Sequence, residues 1–165
     1  MSAAFSDYAP DLHTFCKARL AKLEQCDTQL QRPFKHTTFS AVAFNFGPEA
    51  CAVPHKDSKD LRFGWSFITA LGEFDGTRGG HLVLWDFGIV TEFPPHSAVL
   101  IPSAVLEHKN MAIQEGESRM SITQYNLAGI FEWIAYGFQQ KHVAESIGKE
   151  PVEWSNSQDK FSTVF

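Results

Sequence analysis

Hydrophobic residues recur at helical spacing near the start of the chain. Between residues 10 and 25, four apolar positions fall among charged ones, namely Leu12, Phe15, Leu20 and Leu23. This amphipathic pattern predicts a helix over 10–25 that covers a sheet. A second apolar run predicts a closing helix over 129–140, and the polar segment after Lys141 is expected to be peripheral.

The pattern changes after Arg32-Pro33, where short segments rich in Val, Ile, Phe, Thr and Trp alternate with Gly, Pro, Asp and Asn. Such alternation is typical of β-strands separated by turns. Strands are predicted at 39–46, 50–55, 64–71, 81–86, 89–93, 97–101, 105–111 and 118–126. This number of strands suits a double-sheet jelly roll, and the Glu115-Gly116 turn fits a hairpin between the last two. We therefore expect a mostly β protein with flanking N- and C-terminal helices.

Length and composition add the expectation of one globular domain. A chain of 165 residues fits a single domain over 1–165, with a core at about 39–140. The 44% of hydrophobic residues and 20% of charged residues argue against a disordered chain. The net charge of −5 gives no diffuse basic surface for duplex nucleic acid, so any nucleic-acid contact would be local.

Cysteine usage and hydropathy predict a soluble intracellular protein, with nuclear and cytoplasmic locations both left open. The three cysteines form no CxxC pair, which favours neither a disulfide framework nor a zinc knuckle. The N-terminus has no secretion-signal pattern, and no apolar run reaches the length of a membrane span.

Two potential metal ligands, His55 and Asp57, are separated by one residue. On an extended strand they project to the same side, so an imidazole and a carboxylate can bind one ion. A third ligand must come from a distant strand, and His108 lies near the start of a late one. Two His and one carboxylate leave positions open on the ion, the arrangement of non-haem iron(II) oxygenases. The alternatives are a surface turn with a solvated Asp57, or a ligand role for His81 or His96.

Strand alternation places Arg119 and Ser121 on one face of the last predicted strand. That face can be exposed to solvent, or it can point into a cavity. In a cavity, the guanidinium can bind a carboxylate through two hydrogen bonds, and the hydroxyl can add a third. The position of both residues downstream of His108 favours the cavity.

The sequence resembles the iron(II)/2-oxoglutarate-dependent dioxygenases of the double-stranded β-helix fold over about residues 40–126. The resemblance rests on one ordered set of residues: His55, Asp57, His108, Arg119 and Ser121. More narrowly, four segments are similar to the expanded fungal branch related to TET/JBP enzymes: FNFG at 44–47, WSFITALG at 65–72, GGHLVLWD at 79–86 and IPS at 101–103.

The resemblance implies an oxidoreductase with a double-stranded β-helix, the jelly-roll or cupin-like fold. It implies that the two His and the Asp bind iron(II), that 2-oxoglutarate chelates the metal, and that Arg119 and Ser121 bind its far carboxylate. The implied reaction consumes O2 and hydroxylates a C–H bond with release of succinate and CO2, and the protein supplies orientation and excludes water. The fungal branch implies a 5-methylpyrimidine base in nucleic acid as the substrate.

Asn45 and Trp65 are candidate substrate-contacting residues. Asn45 lies within an otherwise apolar strand, where its amide can face a substrate, the co-substrate or solvent. Trp65 can stack on a flat substrate, although core packing is the default for an aromatic strand residue. Cys51 shares strand parity with His55, so it can approach the site or be a small buried residue. Three basic residues flank the metal pair and either bind an acidic group or form a solvated rim: Lys56, Lys59 and Arg62.

Three other functions fit the same residues. A 2-oxoglutarate-dependent hydroxylase of a small metabolite would use the same metal ligands. A jelly-roll binding module without catalysis would have a pocket that does not bind iron tightly. A different metal enzyme on a cupin-like barrel would recruit His81 or His96 as an additional ligand, because one fold supports many chemistries.

Overall fold

The computed structural model describes residues 2–32, 34–149 and 151–162. Within these residues, five helices lie towards the two ends of the chain: α1 (Ser2–Tyr8), α2 (Pro10–Cys26), α3 (Ala128–Ala135), α4 (Lys141–Ser146) and α5 (Val152–Ser162). Seven strands lie between α2 and α3: β1 (Ala41–Asn45), β2 (Ser66–Glu73), β3 (Leu82–Leu84), β4 (Ile89–Thr91), β5 (Ala98–Ile101), β6 (His108–Asn110) and β7 (Ser118–Tyr125). Every helix described here is too short or too polar to traverse a bilayer.

The strands form two antiparallel sheets, ordered β1-β7-β2-β5 and β4-β3-β6. In the larger sheet, Asn45 lies opposite Ser121, and in the smaller one Leu84 lies opposite His108. Residues directly opposite each other project to the same face of a sheet. The register therefore brings residues from distant parts of the sequence together. This antiparallel two-sheet core with flanking helices confirms the predicted fold class.

Alternation along β2 divides the hydrophobic core into two parts. Phe67 packs on the helical side, in a cluster that includes Phe5 of α1 and Phe131 of α3. Ala70 projects to the other face and packs with Leu82 of the smaller sheet. The larger sheet thus separates the helices from the space between the two sheets.

The prediction of a strand at 50–55 was wrong. This segment forms no strand ladder, because His55 makes an isolated bridge and the Ala50 N–H donates to the Arg119 carbonyl at 3.0 Å. Pro54 has no N–H to offer a strand ladder. The Ala52 N–H donates to the side-chain oxygen of Asn110 at 2.9 Å rather than to a neighbouring backbone. Side-chain hydrogen bonds therefore hold this segment where a regular ladder was expected.

The predictions for the C-terminal part were also wrong in three respects. The Glu115-Gly116 turn leads from β6 to β7, but these strands belong to different sheets and form no hairpin. The segment after Lys141 is not peripheral, because Trp154 and Phe161 of α5 are buried in the helix-side core. The predicted helix over 129–140 ends early, at Ala135.

Candidate metal and co-substrate site

His55 and His108 face each other across an antiparallel bridge. The His55 N–H donates to the His108 carbonyl at 3.1 Å, and the His108 N–H donates to the His55 carbonyl at 3.0 Å. This pairing directs both side chains to the same side, with their ring centroids 4.4 Å apart. The backbone alone thus brings together two imidazoles that are far apart in the sequence.

Both imidazoles are oriented by a backbone carbonyl two residues earlier. Nδ1 of His55 lies 2.8 Å from the Val53 carbonyl oxygen, and Nδ1 of His108 lies 2.9 Å from that of Leu106. A carbonyl oxygen only accepts, so each Nδ1 carries the proton and donates it. In a neutral ring, Nε2 then carries the free lone pair with which a histidine binds a metal.

Asp57 completes a three-ligand cluster. Its N–H donates to the Ser103 carbonyl at 3.0 Å, which fixes the backbone at this residue. Its carboxylate oxygens lie 3.5 Å from Nε2 of His55 and 3.9 Å from Nε2 of His108. Ligand atoms that each lie ~2.1 Å from one ion are roughly 3–4 Å apart, so this spacing suits a shared cation. Within the described residues, no other set of three His, Cys, Asp or Glu ligand atoms converges in this way.

The environment of His108 favours its neutral form. Burial lowers the pKa of His108, and the neighbouring His55 lowers it further, whereas its bond to Leu106 and the charge of Asp57 act in the opposite direction. Desolvation penalises a charged imidazole. A neutral imidazole is the form that binds a metal.

A second carboxyl group, that of Asp60, lies beside the cluster. Burial raises the pKa of Asp60 to about 7, with a further contribution from the charge of Asp57, although hydrogen bonds from Ser66 and Ser103 act against the shift. The two serine hydroxyls also lie 2.7 Å from each other. This network connects the segment that carries Asp57 to β2 and to the loop after β5.

The cluster opens into a cavity of about 880 Å³ between the two sheets. Its lining includes the three candidate ligands, and it extends to further residues named from the sequence: Asn45, Cys51, Lys56, Lys59, Arg119 and Ser121. The cavity can therefore hold a small organic molecule beside a bound ion.

Arg119 is a buried cation without an anionic partner. Its side chain is almost inaccessible, at 3% relative exposure for the residue. Its Nη1 donates to the Ala50 carbonyl at 2.8 Å, but its Nε has no hydrogen-bond partner. Within the described part of the chain, no carboxylate lies within ion-pair distance of this guanidinium. A buried charge is costly unless it is paired, so this position suits an anionic ligand.

Polar side chains hold the neighbourhood of Arg119 in place. The Asn45 amide donates to the Ser121 hydroxyl at 2.9 Å, so these two predicted residues act together. Asn110 donates from its side chain to the Ala50 carbonyl at 3.2 Å. The same carbonyl thus accepts from both Arg119 and Asn110, which fixes the guanidinium relative to the strand that carries His108.

The mouth of the cavity carries aromatic and charged groups. The Phe44 and Phe46 rings are stacked, 5.9 Å apart, and both side chains are exposed. Lys56 forms an ion pair of 3.3 Å with Asp86, whose other contact is the Glu107 N–H at 2.9 Å. Asp86 therefore links the two segments that carry the candidate metal ligands.

Several residues named from the sequence lie away from this site. Trp65 packs among the helices, with its ring 6.4 Å from that of Phe5, and lines a smaller cavity of about 320 Å³. The interpretation of Trp65 as a substrate contact is therefore corrected to a core role. Arg62, His81 and His96 are not among the residues that line the metal-side cavity.

Three residues of the site were not anticipated from the sequence: Asp60, Asp86 and Asn110. Asn110 follows His108 by two positions, so strand alternation could have placed both side chains on one face. Asp86 lies in a 3-10 turn after β3, and no spacing rule connects it to the ligands. The proximity of Asp60 to the cluster depends on a turn that folds back on Asp57.

Comparison with known proteins gives only distant similarities. No protein-family model and no curated protein matches the chain. A solved structure of NgTET1 in complex with 5mC DNA matches with 17% identity and a TM-score of 0.49, covering 76% of this chain and 51% of that chain. The viral collagen prolyl hydroxylase vCPH from Paramecium Bursaria Chlorella virus-1, in a 2OG complex, matches with 11% identity and a TM-score of 0.36, covering 66% and 68%.

This chain thus spans about half the length of NgTET1. Similarities at this level do not assign an activity. The geometry of the site is therefore the basis for assigning a function.

Proposed function

We propose that this protein is an iron(II)- and 2-oxoglutarate-dependent dioxygenase that hydroxylates a C–H bond and releases succinate and CO2. One observation carries the proposal. The ligand atoms of His55, Asp57 and His108 lie within 4.8 Å of one another, in a cavity that also contains the unpaired guanidinium of Arg119.

The donor set fits iron(II). Two neutral imidazoles and one carboxylate form the 2-His-1-carboxylate arrangement, which holds one face of an octahedral ion and leaves the other positions for oxygen and a co-substrate. The carbonyls of Val53 and Leu106 accept from Nδ1 of His55 and His108 and so fix the orientation of the two rings. Metal-ligating histidines are typically oriented by such a hydrogen bond to the second ring nitrogen. When bound, iron(II) and 2-oxoglutarate supply the oxidising chemistry, which no protein side chain provides.

The remaining residues bind and orient the co-substrate. Arg119 is the counter-charge for the far carboxylate of 2-oxoglutarate, and Ser121 adds a hydroxyl donor beside it. Asn45 holds the Ser121 hydroxyl through its own hydrogen bond. Burial of Arg119 excludes water from this end of the cavity, which strengthens a charge-assisted bond.

We further propose a 5-methylpyrimidine base in nucleic acid as the substrate. The resemblance of four sequence segments to the TET/JBP-related branch supports this class, and NgTET1 was solved with 5mC DNA. The exposed pair of Phe44 and Phe46 offers a stacking surface at the cavity mouth, and Lys59 adds a local positive charge. A base would have to leave its helix to enter the cavity.

The reaction class is tested by incubating the protein with iron(II), ascorbate and 2-oxoglutarate and quantifying succinate. We expect succinate from the wild type and from a surface control, Glu92→Ala, but only background from Asp57→Ala. The Asp57 variant removes the single carboxylate ligand, whereas Glu92 is exposed and outside the cavity. Equal succinate yields from the wild type and Asp57→Ala would reject the proposed activity.

The substrate is tested by mass spectrometry on methylated and unmethylated oligonucleotides, single- and double-stranded, beside free nucleosides and small metabolites. Gain of one oxygen on a methylated pyrimidine supports the proposed substrate. Gain of oxygen on a small metabolite alone would reassign the protein to the small-molecule hydroxylases and leave the reaction class intact.

A further inference from the structure

A cysteine thiol shares the cavity with the buried guanidinium of Arg119. Cys51 is exposed and lines the metal-side cavity, and its Sγ lies 3.4 Å from the Asn110 carbonyl oxygen. The other two cysteines of the chain lie elsewhere, since Cys16 is buried in the helix-side core and Cys26 is exposed at the end of α2. Cys51 is therefore the one thiol that a solute entering this cavity can reach.

Cys51 and Arg119 lie close together, since both line the same cavity and Nη1 of Arg119 donates to the carbonyl of Ala50, the residue next to Cys51, at 2.8 Å. Burial lowers the pKa of Arg119, and the negative charge of an ionised Cys51 raises it. The guanidinium is 3% exposed and its Nε has no partner. An anion formed at position 51 would therefore meet a buried cation that lacks a carboxylate.

We propose that Cys51 is a site of oxidation by hydrogen peroxide, and that its sulfinate form pairs with Arg119 and excludes the far carboxylate of 2-oxoglutarate. The oxidation itself requires only the exposed thiol, whereas the exclusion of 2-oxoglutarate rests on the proposed function.

The chemistry proceeds in two balanced steps. The Cys51 thiolate attacks one oxygen of the peroxide, an S–O bond forms as the O–O bond breaks, and the leaving hydroxide takes up a proton to become water. The sulfur loses two electrons and the peroxide gains them. A second peroxide oxidises the sulfenate in the same way, giving a sulfinate and a second water. Neither Cys16 nor Cys26 lines the cavity, so no neighbouring thiol diverts the sulfenate into a disulfide.

The product resembles the ligand that it displaces. A sulfinate carries one negative charge over two oxygens, as a carboxylate does, so it can accept hydrogen bonds from a guanidinium fork. Cys51 is not one of the three candidate metal ligands. The modification is therefore expected to weaken 2-oxoglutarate binding and leave iron binding intact.

The first test oxidises the full-length protein with hydrogen peroxide in the presence of a chelator, so that iron does not decompose the peroxide. After removal of both reagents, peptide mass spectrometry is expected to show a gain of two oxygens at Cys51. Anaerobic calorimetry on the iron(II)-loaded protein should then show 2-oxoglutarate binding about tenfold weaker or more, since a charge-assisted bond is lost. Oxidised Cys26→Ser should behave as the oxidised wild type, and Cys51→Ser should keep its original affinity.

A second test separates the effect of a negative charge at position 51 on 2-oxoglutarate binding from the effect of side-chain size. Cys51→Asp places a permanent carboxylate at this position, and Cys51→Asn places a neutral group of the same shape. We expect Cys51→Asp to weaken 2-oxoglutarate binding and Cys51→Asn to leave it nearly unchanged, with iron(II) affinity retained in both. Equal weakening in both variants would overturn charge pairing with Arg119.

Two failures remain distinguishable. If the untreated wild type binds iron(II) but not 2-oxoglutarate, the proposed function fails. If the untreated wild type binds 2-oxoglutarate, and the protein oxidised at Cys51 binds it equally well, the function stands and the inference fails. An absence of oxygen at Cys51 after peroxide treatment also overturns the inference.

Discussion

At the scale of single residues, Arg119 is the residue that we propose as the main determinant of co-substrate binding. Its guanidinium is buried, and its nearest fixed partner is the carbonyl of Ala50. A carbonyl dipole offsets a full charge only in part, so the free energy of this group improves when a carboxylate binds. Under the proposed function, we expect binding of 2-oxoglutarate to depend on the charge of Arg119 more than on the polarity of the cavity.

We predict that Arg119→Gln raises the 2-oxoglutarate concentration for half-maximal rate about 10- to 100-fold. Glutamine retains an amide donor but loses the charge and the fork, and a hydrogen bond to a charged group contributes about 1.5–3 kcal/mol. Initial rates measured against 2-oxoglutarate concentration test the shift, and iron(II) titration should give an unchanged affinity. Arg78→Gln, which alters an exposed arginine outside the cavity, serves as the control. Loss of iron from Arg119→Gln would instead assign Arg119 a structural role.

The sequence was informative about residues whose positions follow from strand alternation. Arg119 and Ser121 were recognised as a pair because one intervening strand residue returns the side chain to the same side. His55 and Asp57 were paired by the same reasoning, but they lie outside any strand ladder and are held by the bridge to His108 and by the bond from the Asp57 N–H to the Ser103 carbonyl. Trp65, for which core packing was the default and substrate contact the alternative, has the same strand parity as Phe67 and packs on the helical side. Which face of β2 meets the helices is decided by the packing of α1 and α2, and no local pattern reports it.

At the scale of secondary-structure elements, the boundaries of the central strands were predictable and the segments between them were not. Predicted strands at 39–46 and 118–126 correspond to β1 and β7 within a few residues. Residues 50–55 have strand-like composition, but they bond to the Asn110 side chain, to the Arg119 carbonyl and to His108 through one bridge rather than to a neighbouring ladder. Such tertiary hydrogen bonds have no signature in the local sequence.

The 3-10 turn after β3 connects the two elements that carry the candidate ligands. Asp86 accepts from the Glu107 N–H, next to His108, and pairs with Lys56, between His55 and Asp57. The backbone bond to Glu107 is the largest cause of the lowered pKa of Asp86, so this carboxylate stays charged at neutral pH. Its role is to position the ligand segments relative to each other.

We therefore predict that Asp86→Ala weakens iron(II) binding by ~3- to 10-fold and leaves the fold intact. Loss of a group that orients a metal ligand typically lowers metal affinity about 10- to 100-fold. Asp86 is exposed to solvent, which weakens its interactions, so we expect an effect at or below the lower end of that range. Anaerobic titration of iron(II) measures the change, and circular dichroism checks the fold. Asp7→Ala, on the exposed side of α1, is the matched control. Indistinguishable iron affinities of the two variants would remove Asp86 from the positioning network.

At the scale of the whole molecule, the two faces of the larger sheet have different roles. One face lines the cavity that contains the candidate metal ligands, and the other face packs against helices from both ends of the chain. Burial of Trp154 and Phe161 of α5 beside Phe63 supports the proposal that residues 1–165 fold as a single domain. The polar composition of this region concealed the role of α5, because most of its residues are polar and its contacts with the core come from the widely spaced Trp154 and Phe161.

Trp154 provides the test of this arrangement. The residue is 7% exposed, and its ring lies 6.1 Å from that of Phe63. We predict that Trp154→Ala lowers the free energy of unfolding by about 3–5 kcal/mol, because truncation of a buried aromatic residue leaves a cavity. Trp85→Ala makes the same chemical change at a side chain that is 56% exposed and whose ring lies 5.7 Å from the Lys109 ammonium. The expected loss in the free energy of unfolding there is about 1 kcal/mol or less. Urea unfolding of the two variants and the wild type gives the comparison.

Since Trp154 lies across the larger sheet from the cavity, the iron(II) affinity of the folded Trp154→Ala variant should equal that of the wild type. Similar unfolding midpoints for the two variants would mean that α5 is dispensable for the core.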